Sequence, residues 1–363
     1  MHIDPMHIGL DASRATMAHR TGTESYALHL TRALLANPRG HAFTLYFRDK
    51  PAPDLFSSGR QRLIPFRRLW THVRLSWELL TRPRPDVLFI PAHTLPIIHP
   101  LPSVVTLHDV GYRYFPDAHP FPQRWYLEWS TRFAARAATH LIADSHATAR
   151  DTQKFYGIPA NKITVIYPGR DESLQHVDPA PIRAKYQLPE KYILHVGTLQ
   201  PRKNLARLME AWQAVSDSVA LVLVGRAGWL SAPIVAQAQA CGARLLDYVS
   251  DEDLPALYSG ATVFAFPSLY EGFGFPVLEA MACGVPVICS NTSSLPEVAG
   301  EAALTVNPLD TRTLAEALQQ LLADSNLRAA LVAKGYAQIQ KFSWAKAAQE
   351  TLDVLEKTVT GNW

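Results

Sequence analysis

Two glutamates, Glu271 and Glu279, stand eight positions apart in the stretch S-L-Y-E-G-F-G-F-P-V-L-E-A-M-A-C-G-V-P-V-I. Ahead of them T-V-F-A-F-P-S reads as a strand, with Pro267 placed where pairing ends. Pro276 suits the start of a helix and Gly284 the residue just past its end. A strand, a glycine loop and a helix N-terminus together offer backbone N–H groups and a positive dipole end to an anion such as phosphate. Gly272 and Gly274 let that anion approach the backbone closely. Glu271 would project beside it, and Glu279, one turn into the helix, suits a vicinal diol such as a ribose. The same residues also make an ordinary strand-to-helix turn with two solvated carboxylates. Turn chemistry alone leaves both readings standing.

Other reactive groups fall where strands end. T-L-H-D-V puts His108 and Asp109 at the end of a buried strand, on the side expected to face a cleft. P-A-H-T-L-P puts His93 after another strand, on the same side. Q-P-R-K-N carries two cations, Arg202 and Lys203, and its plainer reading is a solvated helix start capped by Asn204. The D-E-D run at Asp251–Asp253 mimics an Asp-x-Asp metal pair. Ser250 followed by Asp253 fits a helix cap better, with acids in the first turn, so no metal requirement is expected. His195 fits a core position and Ser145 a helix cap. No G-x-G-x-x-G opens a helix after a strand with an acid beyond it, and no G-x-S-x-G elbow occurs, which disfavours a dehydrogenase or a serine hydrolase.

Continuous apolar runs, followed by turn signals and helical stretches, would position these groups. The first half holds H-I-G-L-D-A-S, F-T-L-Y-F, D-V-L-F-I-P, S-V-V-T-L-H-D, H-L-I-A-D-S and I-T-V-I-Y-P-G. The second holds Y-I-L-H-V-G-T, V-A-L-V-L-V-G, A-R-L-L-D-Y-V, T-V-F-A-F-P-S, V-P-V-I-C-S-N and A-A-L-T-V. Unbroken rather than alternating hydrophobicity marks strands buried on both faces of a parallel sheet. The expectation is an α/β chain of two doubly wound Rossmann-like domains facing a cleft, spanning residues 6–170 and 191–343. The polar, proline-containing segment 171–190 is expected to link them.

The chain has 363 residues, 48% hydrophobic and 18% charged, enough for two cores and unlike a disordered sequence. A net charge of +3 argues against a dedicated nucleic-acid binder. Cys241, Cys283 and Cys289 have no metal spacing and cannot all pair, which suits a reducing, cytoplasmic location. No signal peptide or membrane-spanning run is read. The first residues, before Met6, carry no part of the reading.

E-G-F-G-F-P-V-L-E-A-M-A-C-G-V-P-V-I resembles the E-x7-E signature of retaining family 4 glycosyltransferases, which have the GT-B fold. Y-V-S-D-E-D-L-P-A-L-Y-S-G-A-T-V-F-A-F-P-S before it, N-T-S-S-L-P-E-V-A-G-E-A-A-L-T-V-N-P after it, and H-V-G-T-L-Q-P-R-K-N-L-A-R-L-M-E-A-W upstream are similar to the same family. So are R-T-G-T-E-S-Y-A-L-H-L-T-R-A-L, T-L-H-D-V and A-D-S-H-A-T-A-R-D in the first half. The resemblance implies that the first domain binds acceptor and the second a nucleotide-diphosphate sugar, the only cofactor-like molecule expected. It implies that Glu271 contacts hydroxyls of the donor sugar, that Glu279 holds the ribose, and that the amides from Gly272 through Phe273 and Gly274 to Phe275 face the diphosphate. Lys203 matches the lysine that neutralises the leaving diphosphate. Thr198 stands where the family's arginine is usual, and Arg202 is the candidate substitute. His108 would lie against the donor hexose, Gly22 and Thr23 near the diphosphate, and Val249 near the base. Asp109 and His93 are assigned to acceptor. The last helix, 344–360, is expected to cross back to the first domain. The opening G-L-D-A-S-R-A-T-M-A-H-R-T-G-T-E-S-Y-A and T-L-Q-P-R-K-N look most like bacterial mannosyl- and deoxyhexosyltransferases of polysaccharide and lipopolysaccharide assembly, which points to GDP-mannose or a related GDP-sugar, with UDP- and ADP-sugars as alternatives. A sugar-nucleotide epimerase or hydrolase of the same fold, or a non-catalytic donor-binding subunit, are the rival readings.

R-Q-R-L-I-P-F-R-R-L-W-T-H-V-R-L-S-W-E-L-L-T-R-P-R-P carries seven arginines between Arg60 and Arg84 against one acid, Glu78. Trp70, Val73, Trp77 and Leu80 recur at helical spacing, as in a helix lying in an anionic bilayer interface. F-P-Q-R-W-Y-L-E-W-S-T-R-F-A-A-R-A-A is a second aromatic and basic stretch. Two arrangements fit: peripheral contact with the cytoplasmic membrane face, where a lipid-linked acceptor would be found, or tryptophans packed on the sheet beneath solvated arginines.

Overall fold

A computed structural model describes residues 4–17, 22–116 and 120–362. The chain forms two compact units, Met1–Val110 with Phe121–Gly169 and Phe342–Trp363, and Gly111–Pro120 with Arg170–Lys341. Among the described residues no helix is long and apolar enough to cross a membrane.

The first unit is built on strands β1 (His7–Asp11), β2 (Ala42–Phe47), β3 (Arg60–Leu63), β4 (Val87–Ile90), β5 (Ser103–Leu107), β6 (His140–Ala143) and β7 (Ile163–Val165). They lie in the order β3-β2-β1-β4-β5-β6-β7, and every pair is parallel. β4 and β5 are buried throughout, because helices cover both faces of a doubly wound sheet. β3 had no counterpart among the apolar runs. Its sequence R-Q-R-L is polar because it is an exposed edge strand, so hydrophobicity could not mark it.

Downstream of β3, a π-helical turn over Trp70–Leu75 runs into a helix at Ser76–Thr81. The wider turn breaks the expected single face. Trp70 is buried, with its indole N–H donating to the Ile64 carbonyl at 2.6 Å, while Val73, Trp77 and Leu80 are exposed. The helix Trp344–Thr360 packs on the helix Gly22–Ala36 and on β4, β5 and β6. Arg39 ties it through Asp353 at 2.5 Å, and His41 through Glu356 at 3.0 Å. Its first residue, Trp344, stacks on His29 with ring centroids 5.6 Å apart.

The second unit repeats the plan with β8 (Tyr192–Val196), β9 (Ala220–Val224), β10 (Arg244–Leu246), β11 (Val263–Phe266), β12 (Val287–Ser290) and β13 (Ala303–Val306). Their order is β10-β9-β8-β11-β12-β13, again wholly parallel. The order reverses between β8 and β11, the place where doubly wound sheets open a crevice at their strand carboxyl ends. Two boundaries differ from the composition reading. The segment 171–190 carries a helix, Ala180–Tyr186, packed on the helix Leu254–Ser259. Gly111–Pro120 belongs to the second unit although the chain on either side belongs to the first, and the Tyr114 ring lies 5.3 Å from that of Tyr270.

At Gly169, the last residue of its segment in the first unit, a Cβ would stand 2.2 Å from the Trp344 backbone nitrogen. Backbone cannot yield as a flexible side chain can. Gly169→Ala is therefore expected to cost about 1–3 kcal/mol, read as a lower thermal midpoint. An unchanged midpoint would show that the terminal helix is not seated against this residue.

Candidate functional site

In the second unit, the loop after β8 and the loop after β11 emerge side by side at the strand-order reversal. After β8 the chain turns at Gly197 (φ +155°) into a short 3-10 turn, Pro201–Lys203. It leaves through Asn204 in the left-handed region (φ 60°). Asn204 is not a side-chain cap. It is buried, and its amide donates to the carbonyls of Pro267 at 3.0 Å and Pro308 at 2.6 Å, pinning the loop to its neighbours.

This pinning directs Arg202 and Lys203 at one carboxylate. Lys203 Nζ lies 2.6 Å from Glu271 Oε1, and an Arg202 guanidinium nitrogen lies 3.1 Å from Glu271 Oε2. Arg202 also donates to the Tyr270 carbonyl, and Lys203 Nζ sits 4.6 Å from the centroid of the Phe266 ring. Lys203 and Glu271 are both buried, so Q-P-R-K-N is no solvated helix start. Burial would raise the Glu271 carboxyl; the Arg202 and Lys203 charges and the Lys203 hydrogen bond outweigh it and hold it at about 2. Ser293 Oγ accepts from the Glu271 N–H at 3.0 Å. Ser294 Oγ, in bonds to the carbonyls of Glu271 at 2.9 Å and Phe273 at 2.6 Å, ties the loop to the next element.

Gly272, Phe273 and Gly274 are buried and Phe275 half-buried. Gly274 (φ +119°) precedes the helix Phe275–Ala282, with Pro276 in its first turn. Glu279, on that helix, is not drawn into the ion cluster: its Oε2 accepts from the Tyr258 hydroxyl at 2.8 Å. Burial, with Asp171 and Asp251 adding to it against the Tyr258 hydrogen bond, pushes its carboxyl up to about 7. Val249 is buried beyond β10. The D-E-D run makes no metal cluster among the described residues. Ser250 Oγ accepts from the Asp253 N–H, and Asp253 binds Lys185 and Tyr186. His195 is a core residue, bonded to the Ala265 carbonyl and stacked on Phe266.

In the first unit, His108 follows β5 and is buried. Its Nδ1 lies 2.6 Å from Asp144 Oδ2 and its Nε2 3.1 Å from the Pro91 carbonyl oxygen. Tyr26 meets the ring edge-on at 4.8 Å, and the His93 ring lies 6.2 Å away. Burial, then the charge of His108, drives His93 down to about 4. Asp109 is half-buried beside them. Gly22 and Thr23 open the helix Gly22–Ala36 as its first residues; the loop before them, residues 18–21, lies outside the described residues. Ser145 is a helix cap, its Oγ accepting from the Thr148 N–H at 3.0 Å.

The structure thus joins Arg202, Lys203 and Glu271 in one cluster and His108 with His93 in another, and keeps Glu279 with Tyr258. Sequence reading missed Asp144, Tyr258, Ser293 and Ser294. Asp144 alone left a signal, a carboxylate where the buried run H-L-I-A ends; the rest look like any surface hydroxyl.

The profile described as "Glycosyl transferases group 1" matches residues 180–338, and that described as "Glycosyltransferase Family 4" matches residues 20–174. O-antigen chain mannosyltransferase B of Escherichia coli is 36% identical over 264 residues, 69% of this chain and 69% of that protein. The serotype-specific mannosyltransferase WbdA of Escherichia coli is 29% identical over 276 residues, 70% of this chain and 33% of its own greater length. Sucrose-phosphate synthase (tll1590) from Thermosynechococcus elongatus is 22% identical with a TM-score of 0.79, covering 98% of this chain and 100% of that one. With the two parallel sheets, that likeness establishes the GT-B fold.

The two glutamates titrate in opposite senses. Glu271 is depressed to about 2, so its contribution is full above the ordinary carboxylate range and is lost as pH falls through about 2. Glu279 is raised to about 7, so ionising it costs stability that grows as pH rises from the ordinary range through 7. At about pH 8, Glu279→Gln is expected to stabilise the protein by on the order of 1–3 kcal/mol, and Glu271→Gln to destabilise it by a similar amount. The Glu279→Gln gain should vanish near about pH 4.5. Thermal denaturation at both pH values reads this, and two variants shifting in the same direction at the higher pH would contradict it.

Proposed function

The chain belongs to the group 1 and family 4 glycosyltransferases, and from that premise we propose that it transfers mannose from GDP-mannose, with retention of configuration and without a metal ion, to a saccharide or lipid-linked saccharide acceptor. The observation that carries this reading is the buried Arg202–Glu271–Lys203 cluster at the strand-order reversal of the second unit. Breaking a glycosyl–phosphate bond leaves charge growing on the diphosphate, which preorganised cations and N–H dipoles stabilise in the transition state. Arg202 fills the role left open by Thr198, because it reaches the same carboxylate as Lys203. Two side-chain cations supply the charge that a metal ion brings in other transferases.

Arg202 and Lys203 both face the Glu271 carboxylate. A bound diphosphate competes for them and frees the Glu271 carboxylate to accept bonds from hydroxyls of the donor sugar. Glu279 accepts from the ribose diol, the backbone from Gly272 to Phe275 faces the diphosphate, and Val249 lies beside the base. Among first-unit residues, Gly22, Thr23 and His108 are assigned to donor recognition and Asp109 and His93 to the acceptor. The mannose donor is supported by the two Escherichia coli mannosyltransferases that resemble the chain.

The first unit also carries a surface suited to the anionic membrane where a lipid-linked acceptor resides. Trp77 and Trp125 are 63% and 62% exposed, and Leu69, Val73, Leu80 and Phe121 are exposed on the same two neighbouring segments. His72 joins those segments by its bond to the Tyr126 hydroxyl at 3.0 Å. The one acid of the arginine-rich stretch, Glu78, is buried and neutralised by Arg62 and Arg74, which leaves Arg60, Arg67, Arg68, Arg82 and Arg84 exposed. Exposed indoles on segments this rich in exposed arginines fit an interfacial docking surface.

A thermal-shift series across GDP-mannose, UDP-glucose and ADP-glucose tests the donor. GDP-mannose at about 100 times its Kd should stabilise by about 2.7 kcal/mol, and Lys203→Ala should abolish the shift. A larger shift with the UDP or ADP sugar overturns the donor assignment. Transfer should survive EDTA and give a product with the donor's anomeric configuration. In a flotation assay, the protein should rise with vesicles rich in anionic lipid and remain behind when Trp77 and Trp125 are both replaced by Ser; equal flotation of both forms would refute the docking surface.

A further inference from the structure

His108 is placed so that neither ring nitrogen is available. A backbone carbonyl only accepts, so the 3.1 Å contact with Pro91 requires a proton on Nε2. Nδ1 faces Asp144 Oδ2 at 2.6 Å, the spacing of a charge-assisted bond. Asp144 Oδ1 is buried and has no hydrogen-bond partner among the described residues, so the imidazole is the partner that compensates this carboxylate. The surroundings complete the cage. Tyr26 from the helix Gly22–Ala36 packs edge-on and is held by Thr106 of β5 at 3.3 Å, and Thr148 from the helix His146–Tyr156 donates to the His108 carbonyl at 3.1 Å. The charged or titratable groups facing the ring are Asp144, Asp109, His93 and the Tyr26 phenol, which burial and Asp144 keep protonated, with Glu24 and Arg14 acting on His93.

We propose that Asp144 is a positioning residue that holds His108 as a buried imidazolium with both N–H groups engaged, so that His108 acts on its substrate by charge and shape and moves no proton. Burial alone would lower the ring's pKa; the Asp144 charge and hydrogen bond, with the Pro91 carbonyl and Asp109, reverse the direction and raise it. The depressed pKa of His93 has the same origin in part, since a cationic His108 disfavours a second cation 6.2 Å away. The effect on turnover rests on the proposed placement of His108 beside the donor sugar. The protonation state does not.

Proton–nitrogen correlation spectra of the full chain, with His108 assigned by difference against His108→Gln, read the ring directly. Both nitrogens are expected to be protonated at about pH 7, where an ordinary histidine has mostly lost a proton. In Asp144→Asn the amide can donate to Nδ1, and the ring is expected as the neutral Nε2–H tautomer. In transfer assays on the same protein, kcat should fall about ten-fold while KM for the donor stays within about two-fold. A neutral wild-type ring at about pH 7 overturns the proposal. So does undiminished kcat in an Asp144→Asn protein whose spectra show the neutral ring. Should the wild-type chain transfer no sugar at all, the proposed function fails, and the spectra still decide the charge on His108.

Discussion

A carboxylate taken out of water must recover its hydration energy from its neighbours, and Glu271 does so from two cations at once. One oxygen faces Lys203 and the other Arg202, and all three side chains are largely withdrawn from solvent. Removing Glu271 from such a group would leave two largely buried cations uncompensated, which is far more costly than the net worth of the intact cluster. The loops after β8 and β11 are thereby bound to each other electrostatically as well as by the adjacency of their strands. Asn204 on one loop, with Ser293 and Ser294 beyond the other, serves chiefly to hold the backbone where this meeting of charges is possible.

The parallel, doubly wound order explains why these loops meet. β8 is flanked by β9 and β11, so the chain leaves its carboxyl end toward one side and returns to β11 on the other. A crevice opens between the two exits. Within it the environment separates two glutamates of similar sequence context. One is stabilised as an anion by facing cations; in the other, burial and the charges of Asp171 and Asp251 outweigh the Tyr258 hydrogen bond and the Lys203 charge, and the pKa rises. The same separation recurs in the first unit, where the adjacent Asp144 raises the pKa of His108 against burial, while burial and the His108 charge drive His93 down to about 4.

Much of this was legible in the sequence because buried parallel strands are nearly uniform in hydrophobicity. All six strands of the second unit coincide with apolar runs read from the residues, and so do six of the seven in the first. The exception, β3, is an edge strand whose solvent-facing arginines carry no such signal. Helical spacing grouped Trp70 with Val73, Trp77 and Leu80, but a π turn changes the angle between residues, and Trp70 went inward. Glycines and paired glutamates marked the second-unit site. Their partner Tyr258 was invisible, because it reaches Glu279 across element boundaries that spacing along the chain does not encode; in the first unit, Asp144 showed only as a carboxylate at a strand end, with nothing to pair it to His108.

The helix Trp344–Thr360 belongs to the first unit although it follows the second in the chain. On the ribosome, residues 170–341 are therefore made before the first unit has its final helix. Until that helix arrives, the faces of the helix Gly22–Ala36 and of β4, β5 and β6 on which it packs stay bare. Nascent chains ordinarily complete their domains from the N-terminus onward. Here the second unit can close before the first, which keeps that packing face open for the whole of the interval.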